Sequence, residues 1–215
     1  MHKSIINLNT IENSLKSKID ILPSIIAVSK TFPMSEILPL INHGHVNFGE
    51  NKVQESLEKW STIKNDFHHI KLHMIGKLQT NKVKYAVTLF DYIHSLDNFR
   101  LAEKIASEQI KQKKKLKIFI QINIGDEPQK SGILIDRIES FYEKCTKELD
   151  LQIIGLMCLP PNNINAKDYF STMKELSKKM NIKNLSMGMS NDYLDAAISG
   201  STHLRIGSKI FGERS

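Results

Sequence analysis

The stretch IIAVSKTFPMSEILPLINHGHVNFGEN, residues 25–51, contains the pattern that decides the fold. Its β-branched start, at 25–29, predicts a buried strand, MSEILPLINHG predicts a helix, and 46–48 predicts a second strand. Two strands joined through a helix are typically parallel, since the crossover returns the chain to the same end of the sheet. Lys30 stands out because it closes the first strand, although lysine side chains are seldom buried.

The same alternation continues along the rest of the chain. The helical period is clearest at 99–112, where apolar residues form one stripe and Asp97 is the expected N-cap. Strand–helix units that repeat predict a parallel sheet covered by helices, and eight strands are the number in a closed (β/α)8 barrel. The predicted strands are 25–29, 46–48, 70–75, 91–94, 117–123, 152–158, 184–187 and 203–206.

Periodicity alone leaves an open doubly wound sheet as the alternative, although no GxGxxG follows the first strand. The amphipathic segment 4–19 is predicted to be an extra helix before the barrel. No linker or low-complexity stretch marks a boundary, so residues 1–215 are predicted to form one α/β domain, a (β/α)8 barrel.

Composition indicates an ordinary globular protein, with 40% hydrophobic and 25% charged residues. No apolar run reaches the roughly 18 residues of a membrane span, and the N-terminus lacks the apolar core of a signal peptide. Cys145 and Cys158 form no CxxC, which fits a reducing compartment. We therefore expect a soluble, cytoplasmic protein without a membrane partner.

Neither the histidine spacing nor the net charge predicts a metal site or a nucleic-acid partner. The histidine pairs at 43/45 and 68/69 fall near turns, and no HExxH occurs, so no metal site is expected. The charge of +7 comes mostly from lysine, and its densest run, 111–117, closes a helix and enters a strand. Without interleaved aromatic residues this run favours a solvated face over a nucleic-acid site.

Polar residues collect where the predicted strands end, which is where parallel α/β folds place functional groups. Lys30 ends the first strand, and Asn51 follows the second. SMGMS (186–190) and RIGS (205–208) end the last two, the strands whose loops often bind phosphate in barrels. Ser190 could cap a helix beginning near Asn191 and leave N–H groups free for an anion.

Simpler interpretations of these strand ends stay open. Ser190 could be only a helix cap and Gly207 only a turn residue. Arg205 could pair with Asp192 or Glu50, the common fate of an arginine at a strand end. A lysine facing a phosphate site suggests a ligand with a carbonyl and a phosphate, because a neutral amine forms an imine. Both a phosphosugar aldolase and a pyridoxal phosphate (PLP) protein meet that description.

Seven segments together resemble one family, the PLP homeostasis proteins (the YggS and PROSC type), related to the N-terminal barrel of alanine racemase. The resemblance spans about residues 5 to 214, and the set of segments is far more specific than any one of them. Small departures, such as Ser208 where threonine is common, keep the expected chemistry. The segments are AVSKTFP, FGENKVQE, HMIGKLQTNK, QINIGDEPQKSGI, GLMCLPP, SMGMSNDYLDAAI and RIGSKIFGER.

The resemblance implies a barrel of the alanine racemase type with PLP as its cofactor, held as a Schiff base on Lys30. It implies that Arg205 faces the pyridine nitrogen and that Asn51 lines the cofactor pocket. The phosphate contacts it implies are Met189, Ser190, Gly207 and Ser208.

These implications lead to the hypothesis of a monomer that stores, delivers or buffers PLP without robust turnover, with apo PLP-dependent enzymes as possible recipients. An arginine cannot protonate the pyridine nitrogen as an acidic partner does, so the ring stays a weaker electron sink. In the resembling racemases the second base comes from a C-terminal domain and a dimer partner, and this chain ends at Ser215 soon after its last strand.

Alternative functions are a small racemase-like PLP enzyme, with Lys30 as one base and His73 or Tyr193 as the other, a lysine aldolase, and a basic RNA-binding domain. Lys130, in a charged loop, is expected to be solvated, or else to assist PLP capture at the cofactor mouth.

Overall fold

The computed structural model describes residues 1–127, 129–161 and 165–213. Eight parallel strands close into a barrel in the order β1 to β8, so the alternative of an open doubly wound sheet is wrong. Every predicted strand is confirmed, with ends that differ by at most two residues. The strands are β1 (Ser24–Val28), β2 (Asn47–Glu50), β3 (Lys71–Met74), β4 (Tyr92–Leu96), β5 (Lys117–Ile122), β6 (Ile153–Cys158), β7 (Asn184–Ser186) and β8 (His203–Ile206).

Helices surround the barrel and connect consecutive strands. Two of the connections also contain a 3₁₀ turn, at Thr80–Lys82 and Ile135–Arg137, and Lys144–Glu148 forms a short π-helix. The α-helices are α1 (Lys3–Lys16), α2 (Met34–Asn42), α3 (Val53–Trp60), α4 (Ile63–Asp66), α5 (Val83–Leu89), α6 (Phe99–Gln112), α7 (Ile138–Glu143), α8 (Ala166–Lys179), α9 (Tyr193–Ile198) and α10 (Ser208–Phe211).

The extra N-terminal helix is confirmed as α1, which packs against α10, the helix that follows the last strand. Leu8, Ile11 and Leu15 form its buried stripe, as the spacing of an amphipathic helix requires. The side-chain amide of Asn7 donates a 2.9 Å hydrogen bond to the carbonyl oxygen of Ile210. This contact joins α1, near the beginning of the chain, to α10 at its end.

The N-cap of α6 differs from the prediction by one residue. Asn98 caps the helix, because its Oδ1 accepts a 2.9 Å hydrogen bond from the backbone N–H of Leu101. Asp97 instead accepts a hydrogen bond from the Asn98 side-chain amide at 2.6 Å. The lysine-rich run lies where it was predicted, with Lys113 as the left-handed C-cap of α6 and Lys117 opening β5.

Side chains on each strand alternate between the barrel interior and the layer of helices. On β2, Asn47 points inside and bonds His73, whereas Phe48 points outside and packs against Trp60 with ring centroids 5.1 Å apart. Gly155 leaves room for Phe119, since a Cβ at 155 would lie 2.4 Å from that ring. Alternation of this kind directs every second residue at a strand end toward the mouth of the barrel.

Cys145 and Cys158 are both free and buried. Within residues 1–127, 129–161 and 165–213, no three His, Cys, Asp or Glu side chains are grouped as metal ligands. Over the same ranges no helix is long and apolar enough to cross a membrane.

Candidate functional site

A cavity of about 860 Å³ opens at the end of the barrel that is formed by the carboxyl ends of the strands. Its wall includes hydrophobic residues such as Val28 and Ile75 beside polar groups from four strand ends. All seven residues that the resemblance assigned to cofactor binding line this one cavity. They are Lys30, Asn51, Met189, Ser190, Arg205, Gly207 and Ser208.

Lys30 lies two residues beyond β1, in a turn whose backbone is unusual. Thr31 has φ +68°, in the left-handed region that β-branched residues rarely adopt. The change of direction at Thr31 turns the backbone immediately after Lys30, and Phe32 lines the cavity as well. A conformation of this type persists only where neighbouring groups hold it.

Glu50 and Lys59 hold the residue that precedes Lys30. The Ser29 hydroxyl donates a 2.8 Å hydrogen bond to Oε1 of Glu50, a carboxylate that is fully buried. Lys59 on α3 donates to the carbonyl oxygen of Ser29 at 2.9 Å and to the same Glu50 oxygen at 3.0 Å. Trp60 adds a third donor to that oxygen through its indole N–H at 3.0 Å. Several charge-assisted bonds therefore fix Ser29 against α3.

Glu55 holds the residue that follows Lys30. Its Oε1 accepts a 2.6 Å hydrogen bond from the backbone N–H of Thr31, and the Lys59 ammonium lies 3.1 Å from the same oxygen. Burial alone would raise the pKa of Glu55, but these bonds outweigh it, so the pKa lies below its ordinary value. Lys30 thus lies between Ser29 and Thr31, and helix α3 holds both of these residues through hydrogen bonds from Lys59 and to Glu55.

The loops after β7 and β8 approach each other across the cavity. Gly188 has φ +92°, a conformation that suits glycine, and its carbonyl oxygen accepts a 3.0 Å hydrogen bond from the N–H of Arg205. The Ser190 hydroxyl oxygen accepts from the backbone N–H of Lys209 at 3.4 Å. The two small hydroxyl residues, Ser190 and Ser208, therefore share one wall of the cavity.

The sequence suggested Ser190 as the N-cap of the next helix, and this prediction is wrong. Residues 190–192 form a turn, so α9 begins at Tyr193 with Asp192 in the cap position. The Asp192 carboxylate accepts a 2.6 Å hydrogen bond from the backbone N–H of Met189. That bond closes the turn, and the Ser190 hydroxyl contacts the first turn of α10 at Lys209 instead.

Arg205 is buried at the floor of the cavity, with 4% of its surface exposed. Its Nη1 donates to the Ser186 hydroxyl at 2.6 Å, and its Nη2 donates to the carbonyl oxygen of Cys158 at 2.8 Å. The alternative of an ion pair with Asp192 or Glu50 is wrong, because neither carboxylate lies within ion-pairing distance. Burial lowers the pKa of Arg205, although an arginine stays protonated in proteins.

Comparison with known proteins shows similarity along nearly the whole chain. The family model of the alanine racemase N-terminal domain matches residues 6–215. A curated relative, the pyridoxal phosphate homeostasis protein of Aquifex aeolicus (strain VF5), is 36% identical over 199 residues, covering 88% of this chain and 86% of that protein. This chain belongs to the pyridoxal phosphate homeostasis protein family.

Solved structures agree with this assignment. PipY of Synechococcus elongatus PCC7942, solved without PLP, has a TM-score of 0.86 at 30% identity and covers 96% of this chain and 98% of PipY. PipY with PLP bound has a TM-score of 0.83 at 31% identity, covering 94% of this chain and 98% of PipY. The barrel of the alanine racemase N-terminal type is therefore the fold of this family member.

In this PLP homeostasis family member, the two side chains that the sequence offered as a second base do not line the cavity. His73 is fully buried in the barrel interior, where both ring nitrogens are hydrogen-bonded. Tyr193 is buried beneath the Lys209 ammonium, which lies 4.9 Å from its ring centroid. The racemase-like alternative is consequently less supported than the homeostasis function of the relatives.

Lys130 lies beside the rim of the cavity. Its ammonium pairs with Glu127 at 2.7 Å and lies 3.5 Å from the carbonyl oxygen of Pro160, a residue of the cavity wall. About one third of the side chain is exposed. Lys130 therefore lies beside the cavity wall and is partly exposed, and its assistance in PLP capture stays a prediction.

The residues that support the site were mostly missed by sequence reasoning. Glu55 and Lys59 are spaced i,i+4, a signal for an ion pair on one helix face, but nothing in the sequence directs that pair to Thr31. Ser186 and the carbonyl of Cys158 were not recognised as partners of Arg205, since the contacts depend on the registers of three different strands.

Proposed function

We propose that this protein binds PLP in the cavity at the carboxyl end of the barrel and stores or buffers it for other proteins. Residues 1–215 act as one domain, a cytoplasmic monomer, and Lys30 holds PLP through a Schiff base. The observation that carries the proposal is that all seven residues assigned from the resemblance line one cavity. The relative with PLP bound, PipY, is 31% identical and supports the same cofactor.

The groups of the cavity fit the two ends of PLP. An amine at Lys30 suits the aldehyde, and at the other end Ser190, Ser208 and the backbone around Gly207 suit the phosphate. Gly207 presents no side chain to the cavity, and a Cβ there would meet Val28 at 3.4 Å. When bound, PLP supplies an aldehyde for covalent attachment and an electron-withdrawing ring. The cavity volume of about 860 Å³ lies within the range of small-molecule sites.

Arg205 supports storage more than turnover. Its guanidinium only donates hydrogen bonds, so the ring nitrogen it faces must accept one and stays unprotonated. A pyridine without that proton withdraws electrons less strongly, which disfavours rapid chemistry on an amino acid. His73 and Tyr193, the suggested second bases, lie outside the cavity wall. We therefore propose that any PLP-dependent turnover is weak.

Delivery of PLP to apo enzymes is the second half of the proposal. Lys130 lies behind the cavity wall, where its amine is 3.5 Å from the carbonyl oxygen of the lining residue Pro160. A second amine at the exit could capture PLP as it leaves Lys30 and assist its transfer. In this proposal Lys130→Ala slows exchange of PLP without reducing the amount that is bound. Unchanged exchange in Lys130→Ala would remove this role.

The proposal is tested by adding PLP to purified protein and following visible absorbance. Wild-type protein is expected to take up one equivalent with the absorbance of a protonated Schiff base. Lys30→Arg, which keeps the charge but cannot form the linkage, and Lys30→Ala are both expected to lack this band. A lysine aldolase acting on phosphosugars would show no such band in the wild type either.

Activity assays on the loaded protein test the absence of robust turnover. Amino-acid racemisation or decarboxylation is expected to remain far below the roughly 1–1,000 s⁻¹ of ordinary enzymes. Steady turnover in that range would overturn the storage function and restore the racemase-like alternative.

A further inference from the structure

A continuous chain of hydrogen bonds leads from Arg205 down through the barrel interior, away from the cavity. Arg205 donates to the Ser186 hydroxyl at 2.6 Å, and Ser186 lies 2.9 Å from Nδ1 of His94. Nε2 of His94 lies 3.0 Å from Nδ1 of His73. Nε2 of His73 lies 3.1 Å from Oδ1 of Asn47. This hydrogen-bond chain therefore joins strands β8, β7, β4, β3 and β2.

The two ends of this chain determine the direction of every hydrogen bond in it. Arg205 can only donate, so the Ser186 oxygen accepts from it, and the Ser186 proton remains available for Nδ1 of His94. Asn47 donates its amide to Ser24 at 3.1 Å, which leaves Oδ1 as the acceptor for His73. Each histidine therefore carries its proton on Nε2 and accepts at Nδ1. With Oδ1 of Asn47 facing His73, this is the one assignment of neutral rings that satisfies every hydrogen bond in the series.

Both imidazoles are neutral in this arrangement. His73 and His94 are fully buried, and burial is the main reason that the pKa of each lies well below its ordinary value. Neighbouring positive groups, Lys117 for His73 and Arg205 for His94, act in the same direction. Neutral rings suit the chain, because a protonated ring would have no acceptor nitrogen left.

The hydrogen-bond series also helps to stabilise the buried Arg205, which has no carboxylate within ion-pairing distance and is influenced by Asp192 only from farther away. Ser186 and the carbonyl of Cys158 each accept one hydrogen bond from the guanidinium. Aligned neutral dipoles stabilise a buried charge, and hydrogen bonds in series polarise one another. Loss of an intermediate link would leave Ser186 free to rotate its hydroxyl, and Arg205 would lose a fixed partner.

We propose that His94 and His73 are positioning residues that fix the Arg205 guanidinium in the cavity floor through Ser186. This inference rests on the proposed function only for the effect on PLP; the chain itself is a property of the protein without ligand. Its consequence is that the interior of the barrel, well below the cavity, controls how tightly the ring of the cofactor is held.

The direct test uses ¹⁵N NMR of the protein without PLP. The expected result is that His73 and His94 are both neutral with the proton on Nε2, and that the Arg205 guanidinium rotates slowly. Finding either ring with its proton on Nδ1, or charged at neutral pH, would overturn the proposed chain. This measurement needs no substitution, so it stands even where a variant fails to fold.

Variants then separate positioning from general stability. His94→Phe keeps the ring stacked on Phe119, whose centroid is 4.3 Å away, but removes both nitrogens. His203→Phe is the matched control, because His203 lies in the same interior, 6.2 Å from His94 between ring centroids, and outside the chain. We expect faster Arg205 guanidinium rotation and roughly tenfold faster PLP release in His94→Phe only.

Ser186→Ala is the second variant, since it removes the link between Arg205 and His94 with a small change in volume. It is expected to reproduce the faster guanidinium rotation of His94→Phe. Equal guanidinium rotation and PLP release in wild type, His94→Phe and Ser186→Ala would overturn the positioning role. Failure of PLP to bind wild-type protein would instead overturn the proposed function and leave the NMR result unaffected.

Discussion

The backbone N–H of Thr31 donates a 2.6 Å hydrogen bond to the carboxylate of Glu55, and this bond ties the turn after Lys30 to helix α3. Thr31 is held there with φ +68°, a strained conformation for a β-branched residue. On the other side of Lys30, Ser29 is held by Glu50 and Lys59. The position of the candidate nucleophile is therefore set by residues that do not line the cavity.

Glu55→Ala is expected to destabilise the protein by about 1–2 kcal/mol, because it removes a charge-assisted bond to a strained and partly exposed turn. Glu55→Gln keeps an acceptor for Thr31 and should lose less. Urea unfolding measures both, and Glu58→Ala on the same helix, whose bond to Gln54 is exposed, is the control. Equal stability of Glu55→Ala and Glu58→Ala would show that the bond from Thr31 to Glu55 does not stabilise the turn.

Thr31→Gly is expected to stabilise the fold by about 1 kcal/mol, since glycine adopts a positive φ without the clash of a Cβ. Thr31 is exposed, so its side chain contributes little packing. The same variant should form the Schiff base more slowly, because a flexible turn orders Lys30 less well. Thermal unfolding and the rate of PLP uptake measure the two effects, and a Thr31→Gly protein less stable than wild type would refute the strain argument.

Lys59→Met is expected to cost about 3–5 kcal/mol, because it leaves the buried carboxylate of Glu50 without its cation. The comparison is Lys147→Met, which breaks the exposed pair with Glu143 and should cost far less, because solvent screens that pair. Adding Glu50→Gln to Lys59→Met should recover part of the loss, as the unpaired charge disappears. No recovery in the double variant would show that the charge is not the cause.

The buried histidines predict that stability falls as the solution becomes acidic. Burial lowers the pKa of His45 and His203 to about 4, compared with an ordinary value of 6.5, so the unfolded chain binds more protons between these values. Stability from these rings is complete above pH 6.5 and is lost as the pH falls toward 4. Each ring can contribute up to about 1.4 kcal/mol per pH unit in that range.

Free energies of unfolding measured between pH 7 and 5 test this prediction, since most carboxylates remain ionised there. His203→Phe should flatten the curve, because one of the titrating rings is removed. A stability that stays constant or rises as the pH falls from 6.5 to 5 would be inconsistent with buried neutral histidines.

The barrel and the content of its cavity could be predicted from the sequence, because strand and helix periods and the order of strand ends are local signals. Residues such as Ser190 and Arg205 could therefore be assigned to one cavity before the structure was known. Their partners could not, since the bond between Arg205 and Ser186 depends on the registers of two strands. The turn at 190–192 likewise moved the start of α9 by two residues and changed the partner of Ser190.

The interior chain from Arg205 to Asn47 was also beyond sequence reasoning. His73 and His94 appear in the sequence as isolated polar residues in strand-like runs, and only the register between β3 and β4 brings their ring nitrogens to 3.0 Å. The bonds that hold the residues on either side of Lys30 also depend on tertiary packing, because the helix that supplies Glu55 and Lys59 must first dock beside β1. Local pattern identified the groups, and tertiary packing decided their roles.

The central claim is that Lys30 holds PLP, and peptide mapping after borohydride reduction of the loaded protein tests it most directly. Reduction makes a Schiff base permanent, so the modified residue is identified by mass spectrometry. The account predicts one pyridoxyl adduct, on the peptide that contains Lys30, and no adduct at that position in Lys30→Ala. A wild-type adduct on any other lysine, with Lys30 unmodified, would contradict it.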